Sequence, residues 1–196
     1  MLKKEVIWRE ILFQARQNKK IKFTQKELAL KFGFSLSTIF NALKPLRSAN
    51  IIKVGGRFFA LENYRKLLYL WASERNIKKE IIYSAHFNSD IKTLEGIMPP
   101  GTIFGAFSGF SIFYGSTPAE YDHLYVYADE KDLEKLLKRI SEHKDNLPRH
   151  NFFVIKQDPW LLKYPAPLYE QIFVDIWNAP EWYAKDFLKA MEEEIK

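Results

Sequence analysis

Ser37, Thr38, Asn41 and Lys44 recur at spacings of three and four within the stretch SLSTIFNALKPLRSA. Residues spaced this way share a face of a helix. Short hydroxyl and amide side chains there can hydrogen-bond phosphate oxygens and base edges without a long reach. Gln25 and Lys26 lie just upstream, and Lys53 and Arg57 flank Gly55-Gly56 downstream. The chemistry this set offers is recognition of a polyanion. Ser37, Thr38 and Asn41 would read bases, and the Lys and Arg residues would hold phosphates. Asn pairs bidentately with adenine, and cations release the counterions of a phosphate backbone.

A second constellation, YGSTPAEYDHLYVY, could do catalysis. It resembles the nucleotidyltransferase signature, in which Gly-Ser precedes a strand bearing Asp-x-Asp or Asp-x-Glu. The two carboxylates on one strand face hold the divalent metals for phosphoryl transfer. Gly115, Ser116 and Asp122 fit, with a short gap between Ser116 and Asp122. The second carboxylate belongs at position 124, and that residue is Leu124, which cannot bind magnesium. Gly101, Gly105 and Gly109 lack the close spacing and the lysine of a phosphate loop, so they read as a helix approaching its neighbour closely. The histidines at 86, 123, 143 and 150 have no i, i+4 pair and no HExxH. His86 and His123 fall in predicted strands and read as structural. Asp129, Glu130, Asp132 and Glu134 cluster at a helix start, where acids complement the helix dipole. No metal, no cofactor and no catalytic residue is assigned.

The elements that must position the first set are legible from spacing. Val6, Ile7, Ile11, Leu12 and Ala15 make one apolar stripe from Lys3 to Gln17. Thr24 caps QKELALKF, with Glu27 completing a capping box, and Gly33 ends that helix. Ser35 or Ser37 caps the next helix, which runs to Ser48 despite Pro45. Its Leu36, Ile39, Phe40, Leu43 and Leu46 face inward by expectation, opposite the polar set. IIKV, a two-residue Gly-Gly turn and RFFAL follow as a hairpin with a basic tip. Helix, helix, turn, helix and basic hairpin is the order of a winged helix-turn-helix, whose second helix enters the major groove. The same fold also serves protein contacts. Residues 62–76, ENYRKLLYLWASERN, form a helix that packs on the first one, connects two domains or dimerises.

Charge divides the chain at the same place. Residues 1–82 carry 18 Lys+Arg and 6 Asp+Glu, and residues 83–196 carry 12 and 18. A balance of +12 against one of −6 predicts two domains with different partners. A lysine-rich solvated surface would give the basic half too. Cysteine is absent, which excludes disulfides and thiolate zinc sites and suits a reducing cytoplasm. The start MLKKEVIWREILF is charged throughout, unlike a signal peptide, and no apolar run is long enough to span a membrane.

The acidic half alternates strands and helices. EIIYSAHF, HLYVYA and NFFVIK read as strands; NSDIKTLEGIM, part of GTIFGAFSGFSIFYG and EKDLEKLLKRI read as helices. PLYEQIFVDIWNA and PEWYAKDFLKAMEEEIK close the chain as two helices, each opened by a proline. Its many aromatics read as core, with a ligand pocket or interface as the alternative. The expected class is α+β: an N-terminal winged helix-turn-helix (1–62), a connecting helix (63–78) and a C-terminal mixed α/β domain (79–196).

The chain resembles the winged-helix regulators of the AbiEi-like type IV antitoxin family. TQKELALKFGFSLSTIFNALKPLRSANIIKVGGRFFAL carries the general likeness to prokaryotic winged helices. GTIFGAFSGFSIFYG, LYVYADEKDLEKLLKRI and PAPLYEQIFVDIWNAPEWYAKDFLKAM follow the order of elements in that family. The resemblance implies a prokaryotic autorepressor that binds double-stranded DNA repeats in its own promoter and accompanies a nucleotidyltransferase toxin. A homodimer would match an operator with two half-sites. A nucleotidyltransferase-like enzyme in the second half, and a winged-helix protein-interaction module, stand as alternatives.

Overall fold

The computed structural model describes residues 1–145 and 147–195. The fold is mixed α+β, and the chain forms two compact units, Met1–Arg75 and Asn76–Lys196. No helix among the described residues is long and apolar enough to cross a membrane.

The first unit runs α1 (Lys3–Asn18), β1 (Lys22–Phe23), α2 (Gln25–Phe32), α3 (Leu36–Ser48), β2 (Ile52–Val54), β3 (Phe59–Leu61) and α4 (Tyr64–Glu74). Its sheet is antiparallel, in the order β1-β3-β2. α1 is the centre of the unit rather than a helix with one apolar stripe. Trp8, Arg9, Glu5 and Glu10 are buried alongside Val6, Ile7, Ile11 and Leu12, because α3 and α4 both pack on it. Trp8 Nε1 donates to the Ala42 carbonyl of α3 at 2.8 Å. Lys31 of α2 pairs with Glu10 at 2.6 Å. The helix expected to connect two domains over 63–78 is α4, and it belongs to this core: Leu67, Leu68 and Trp71 are buried. β1 lies between α1 and α2, in a stretch for which the spacing predicts no element. Phe23 anchors it, its ring stacking on Phe59 of β3 at 5.6 Å.

The second unit is a five-stranded mixed sheet with helices on both faces. Its elements are β4 (Ile81–Phe87), α5 (Ile91–Ile97), β5 (Ile103–Phe104), α6 (Ala106–Tyr114), β6 (Leu124–Ala128), α7 (Glu130–Ile140), β7 (Lys144–Asp145), β8 (Phe152–Lys156), α8 (Tyr169–Asn178) and α9 (Ala184–Glu192). The strand order is β5-β6-β8-β4-β7, and β6 and β8 are parallel. Every residue of β6 is buried, as a central parallel strand demands. Leu124, Val126 and Ala128 join the core formed with Leu94 of α5 and Leu136 and Ile140 of α7. Tyr125 and Tyr127 point to the opposite face, towards α6 and α8.

The small residues of α6 have a packing role. A Cβ on Gly109 would lie 2.8 Å from the Phe104 carbonyl oxygen and 3.2 Å from Ile172 of α8. The last two helices depart from expectation at their starts. Pro167 stands two residues before α8, and Pro180 stands four before α9, so neither opens its helix. α9 is preceded instead by Tyr183, whose hydroxyl is engaged with Asp122 at 2.9 Å.

Candidate nucleic-acid interface

Local chemistry builds the first unit's outer surface. Thr24 Oγ1 accepts from the Glu27 N–H at 3.1 Å and starts α2. The Glu27 carboxylate pairs with Lys20 at 2.9 Å, in place of the reciprocal bond that a capping box requires. Gly33, at φ 67, ends α2 in the left-handed conformation. Ser35 caps α3, accepting from the Thr38 N–H at 3.2 Å. α3 continues through Pro45 to Ser48, and the Pro45 carbonyl accepts from the Ala49 N–H at 3.0 Å.

α3 buries Ile39, Ala42, Leu43 and Leu46. Ser37, Asn41, Lys44 and Ser48 lie exposed on the far side. Thr38 is half-buried, and its hydroxyl sits 3.0 Å from that of Ser35, so part of its capacity goes to the helix start. Two residues expected in the core are outside it. Leu36 is 56% exposed and Phe40 is 48% exposed. The physical reason is angular: 39, 42, 43 and 46 already form a complete apolar stripe, and positions 36 and 40 fall on its shoulder. Phe40 is held there by Arg47, whose guanidinium carbon stands 4.5 Å from the ring centroid.

The hairpin between β2 and β3 turns through four residues, Gly55–Phe58, rather than through Gly-Gly alone. Val54 faces Phe59 in the register, and the Gly55 N–H donates to the Phe58 carbonyl at 2.7 Å. Arg57 is thereby at the tip, exposed. Lys53 is exposed on β2, opposite Ala60. Lys22 of β1 faces the same Ala60 from the other side and lies 5.2 Å over the Phe58 ring. The three-stranded sheet therefore turns two lysines outward in one row, of which only Lys53 belonged to the expected set.

A cleft of about 340 Å³ opens between the hairpin tip, the start of α2 and α3. Gln25, Lys26 and Arg57 line it together, as do Leu36, Arg47 and Phe58. Six of the eight residues expected at the site thus fall in two groups: Gln25, Lys26 and Arg57 in the cleft, and Ser37, Asn41 and Lys44 on the outer strip of α3. Lys53 stands on the sheet and Thr38 at the helix shoulder. The unit carries 16 Lys+Arg against 5 Asp+Glu over residues 1–75, so its field favours an anion. Arg47, Lys22, Leu36 and Phe40 were not in the expected set. No local signal in the sequence marks them, because strand pairing and the packing of α1 on α3 decide which side chains stay outside.

The candidate catalytic constellation of the second unit is divided between the end of α6 and the residues before β6. Gly115 caps the C-terminus of α6 at φ 73, and Ser116 is exposed. Asp122 lies before β6, and Leu124 is fully buried in the core. Asp122 Oδ1 accepts from the Tyr183 hydroxyl at 2.9 Å and lies 2.6 Å from His123 Nδ1. Burial, the largest single influence on the Asp122 carboxyl, pushes its pKa up, yet the bonds from Tyr183 and His123 leave it below the ordinary value of 3.8. His86 of β4 bonds Asp145 at 2.7 Å, and His150 bonds Ser84 at 2.8 Å. No group of three or more His, Asp or Glu side chains that could hold a metal ion occurs among the described residues.

No family model, no curated protein and no solved structure matches the chain.

Proposed function

We propose that the protein is a sequence-specific, DNA-binding transcriptional regulator whose first unit is a winged helix-turn-helix. α3 reads the major groove, and the hairpin with Lys53 and Arg57 holds the flanking phosphates. The observation that carries this reading is the adjacency of a polar strip on α3 to a cation-lined cleft at the hairpin tip, on a unit with a large positive balance. Phosphate contact supplies affinity, and short polar side chains on a helix supply base readout. The acidic second unit, on this reading, senses a ligand, dimerises or meets a partner protein. The family resemblance extends the proposal to an autorepressor of antitoxin type in the cytoplasm, bound as a homodimer to paired half-sites and accompanied by a cognate toxin.

One observation favours a second reading, a module for protein contacts. Leu36, Val54 and Phe58 expose apolar surface around the same cleft, and Phe40 is exposed on α3. Fluorescence anisotropy separates the two. The pure protein is titrated with its own upstream DNA and with a scrambled duplex over a salt series. Tighter binding upstream, lost steeply as salt rises, is the expected result. Weak, salt-insensitive binding to both duplexes would transfer the face to a protein partner.

A further inference from the structure

The two apolar residues that α3 leaves outside the core need an occupant. Leu36 and Phe40 are four apart, so they stack along one side of the helix, next to the strip of Ser37, Asn41 and Lys44. Exposing two large apolar side chains has no benefit for the unit's own folding, because the buried stripe is complete without them. Phe40 is not loose: the Arg47 guanidinium lies against its ring. An apolar surface held in position among cations fits a ligand that is itself both apolar and anionic. Lys26 and Arg57 line the cleft that Leu36 borders, and Lys44 stands one helical turn beyond Phe40.

The major groove of DNA offers that combination at one base. Thymine carries a C5-methyl group on the groove edge, flanked by the phosphates of both strands, and it is the one apolar group among the four bases there. We infer that Leu36 and Phe40 contact thymine methyl groups, so that the duplex taken by α3 is rich in A·T pairs. This rests on the DNA reading of the first unit. Asn41 supports the same composition independently, because its amide matches the acceptor and donor pair of adenine. An apolar contact and an asparagine on adjoining strips would read the two bases of neighbouring A·T pairs.

The test uses the full chain and two duplexes, one of alternating dA-dT and one of the same length with uracil replacing every thymine. The alternating duplex presents a methyl group at every base pair, so no operator need be known. Each methyl group buried in the complex is worth roughly fourfold in affinity, the value of one apolar carbon. Wild-type protein is expected to bind the thymine duplex at least that much more tightly. Leu36→Ala and Phe40→Ala should each weaken binding to the thymine duplex more than to the uracil duplex, and so shrink the difference. Phe40→Leu, which keeps an apolar contact, should retain it. Equal, salt-sensitive binding of both duplexes by wild type would overturn the inference and leave DNA binding standing. Equal weakening on both duplexes in the alanine variants would also overturn it, since the side chains would then act through the fold. Binding to neither duplex at low salt would overturn the DNA reading itself and assign the apolar pair to a protein.

Discussion

The Glu5 carboxylate and the Arg75 guanidinium meet 3.4 Å apart with both side chains buried, joining the start of α1 to the residue that ends α4. Trp71 Nε1 donates to the same carboxylate oxygen at 3.2 Å. The helix that follows the hairpin is thus tied into the first unit by charge as well as by apolar packing. Removing one partner of a buried ion pair destabilises by about 3–5 kcal/mol, because the other charge stays buried. Glu5→Ala is therefore expected to lower the stability of this unit by about 3 kcal/mol, read by urea denaturation. A change under about 0.5 kcal/mol, the level of a surface substitution, would show that the pair adds nothing beyond the packing of Leu67, Leu68 and Trp71.

Arg57 at the hairpin tip tests the phosphate half of the DNA reading. Its side chain is exposed, so Arg57→Ala should fold as the wild type does. Binding should weaken on every duplex alike, and the slope of log affinity against log salt should fall by about 1. A loss confined to one sequence would make Arg57 a base reader instead.

Asn41 tests the other half. It is exposed on the strip with Ser37 and Lys44. Asn41→Ala should cost about 1–3 kcal/mol of discrimination between the best duplex and its single-base variants, with an unchanged salt slope. An unaltered ranking of duplexes would remove Asn41 from the reading set.

These residues could be named because the signals around them are local. Thr24, Gly33 and Ser35 are cap residues, and a cap needs only its own helix to act. The strand and helix pattern of the second unit is likewise written in Leu124-Tyr125-Val126 and in the apolar spacing of α7. Leu36 and Phe40 were misjudged because hydrophobicity alone does not say which apolar positions a neighbour covers. That is decided by packing partners distant in sequence, α1 among them, against which α3 buries Ile39, Leu43 and Leu46 and not Leu36 or Phe40. β1 and β5, two residues each, are too short to show a period, and pairing with β3 and β6 creates them. The cleft was invisible for the same reason: Lys26, Arg47 and Arg57 become neighbours only once the hairpin folds back.

Gly109 sets how closely α6 can approach Phe104 and α8. The carbonyl oxygen that its Cβ would meet at 2.8 Å is backbone and cannot rotate away. Overpacking of this kind costs about 1–3 kcal/mol, against about 1 kcal/mol regained from alanine's better helix propensity. Gly109→Ala should therefore destabilise the second unit by up to about 2 kcal/mol, seen as a lower melting temperature. An unchanged or higher melting temperature would mean that α6 shifts freely, and that the small residue has no packing role.

Asp122 gives the second unit a dependence on acid. Burial raises its carboxyl pKa, but the Tyr183 hydroxyl, then His123 and the charge of Arg149, favour the ionised form more, so the net value is below 3.8. A carboxyl lowered in the folded state binds fewer protons there than in the unfolded chain. Its contribution is complete above the ordinary value and is lost as pH falls through the lowered one. Tyr183→Phe removes the leading favourable bond. The Asp122 carboxyl should then titrate at higher pH than in wild type, followed directly by carbon NMR of the side chain. The stability gap between wild type and variant should narrow as the solution is acidified below about pH 4, where the unfolded carboxyl becomes protonated. A carboxyl that titrates at the same pH in both proteins would mean that His123 and Arg149 hold it down without Tyr183, and that Tyr183 serves to pack α9 against Phe107, its ring neighbour at 4.8 Å.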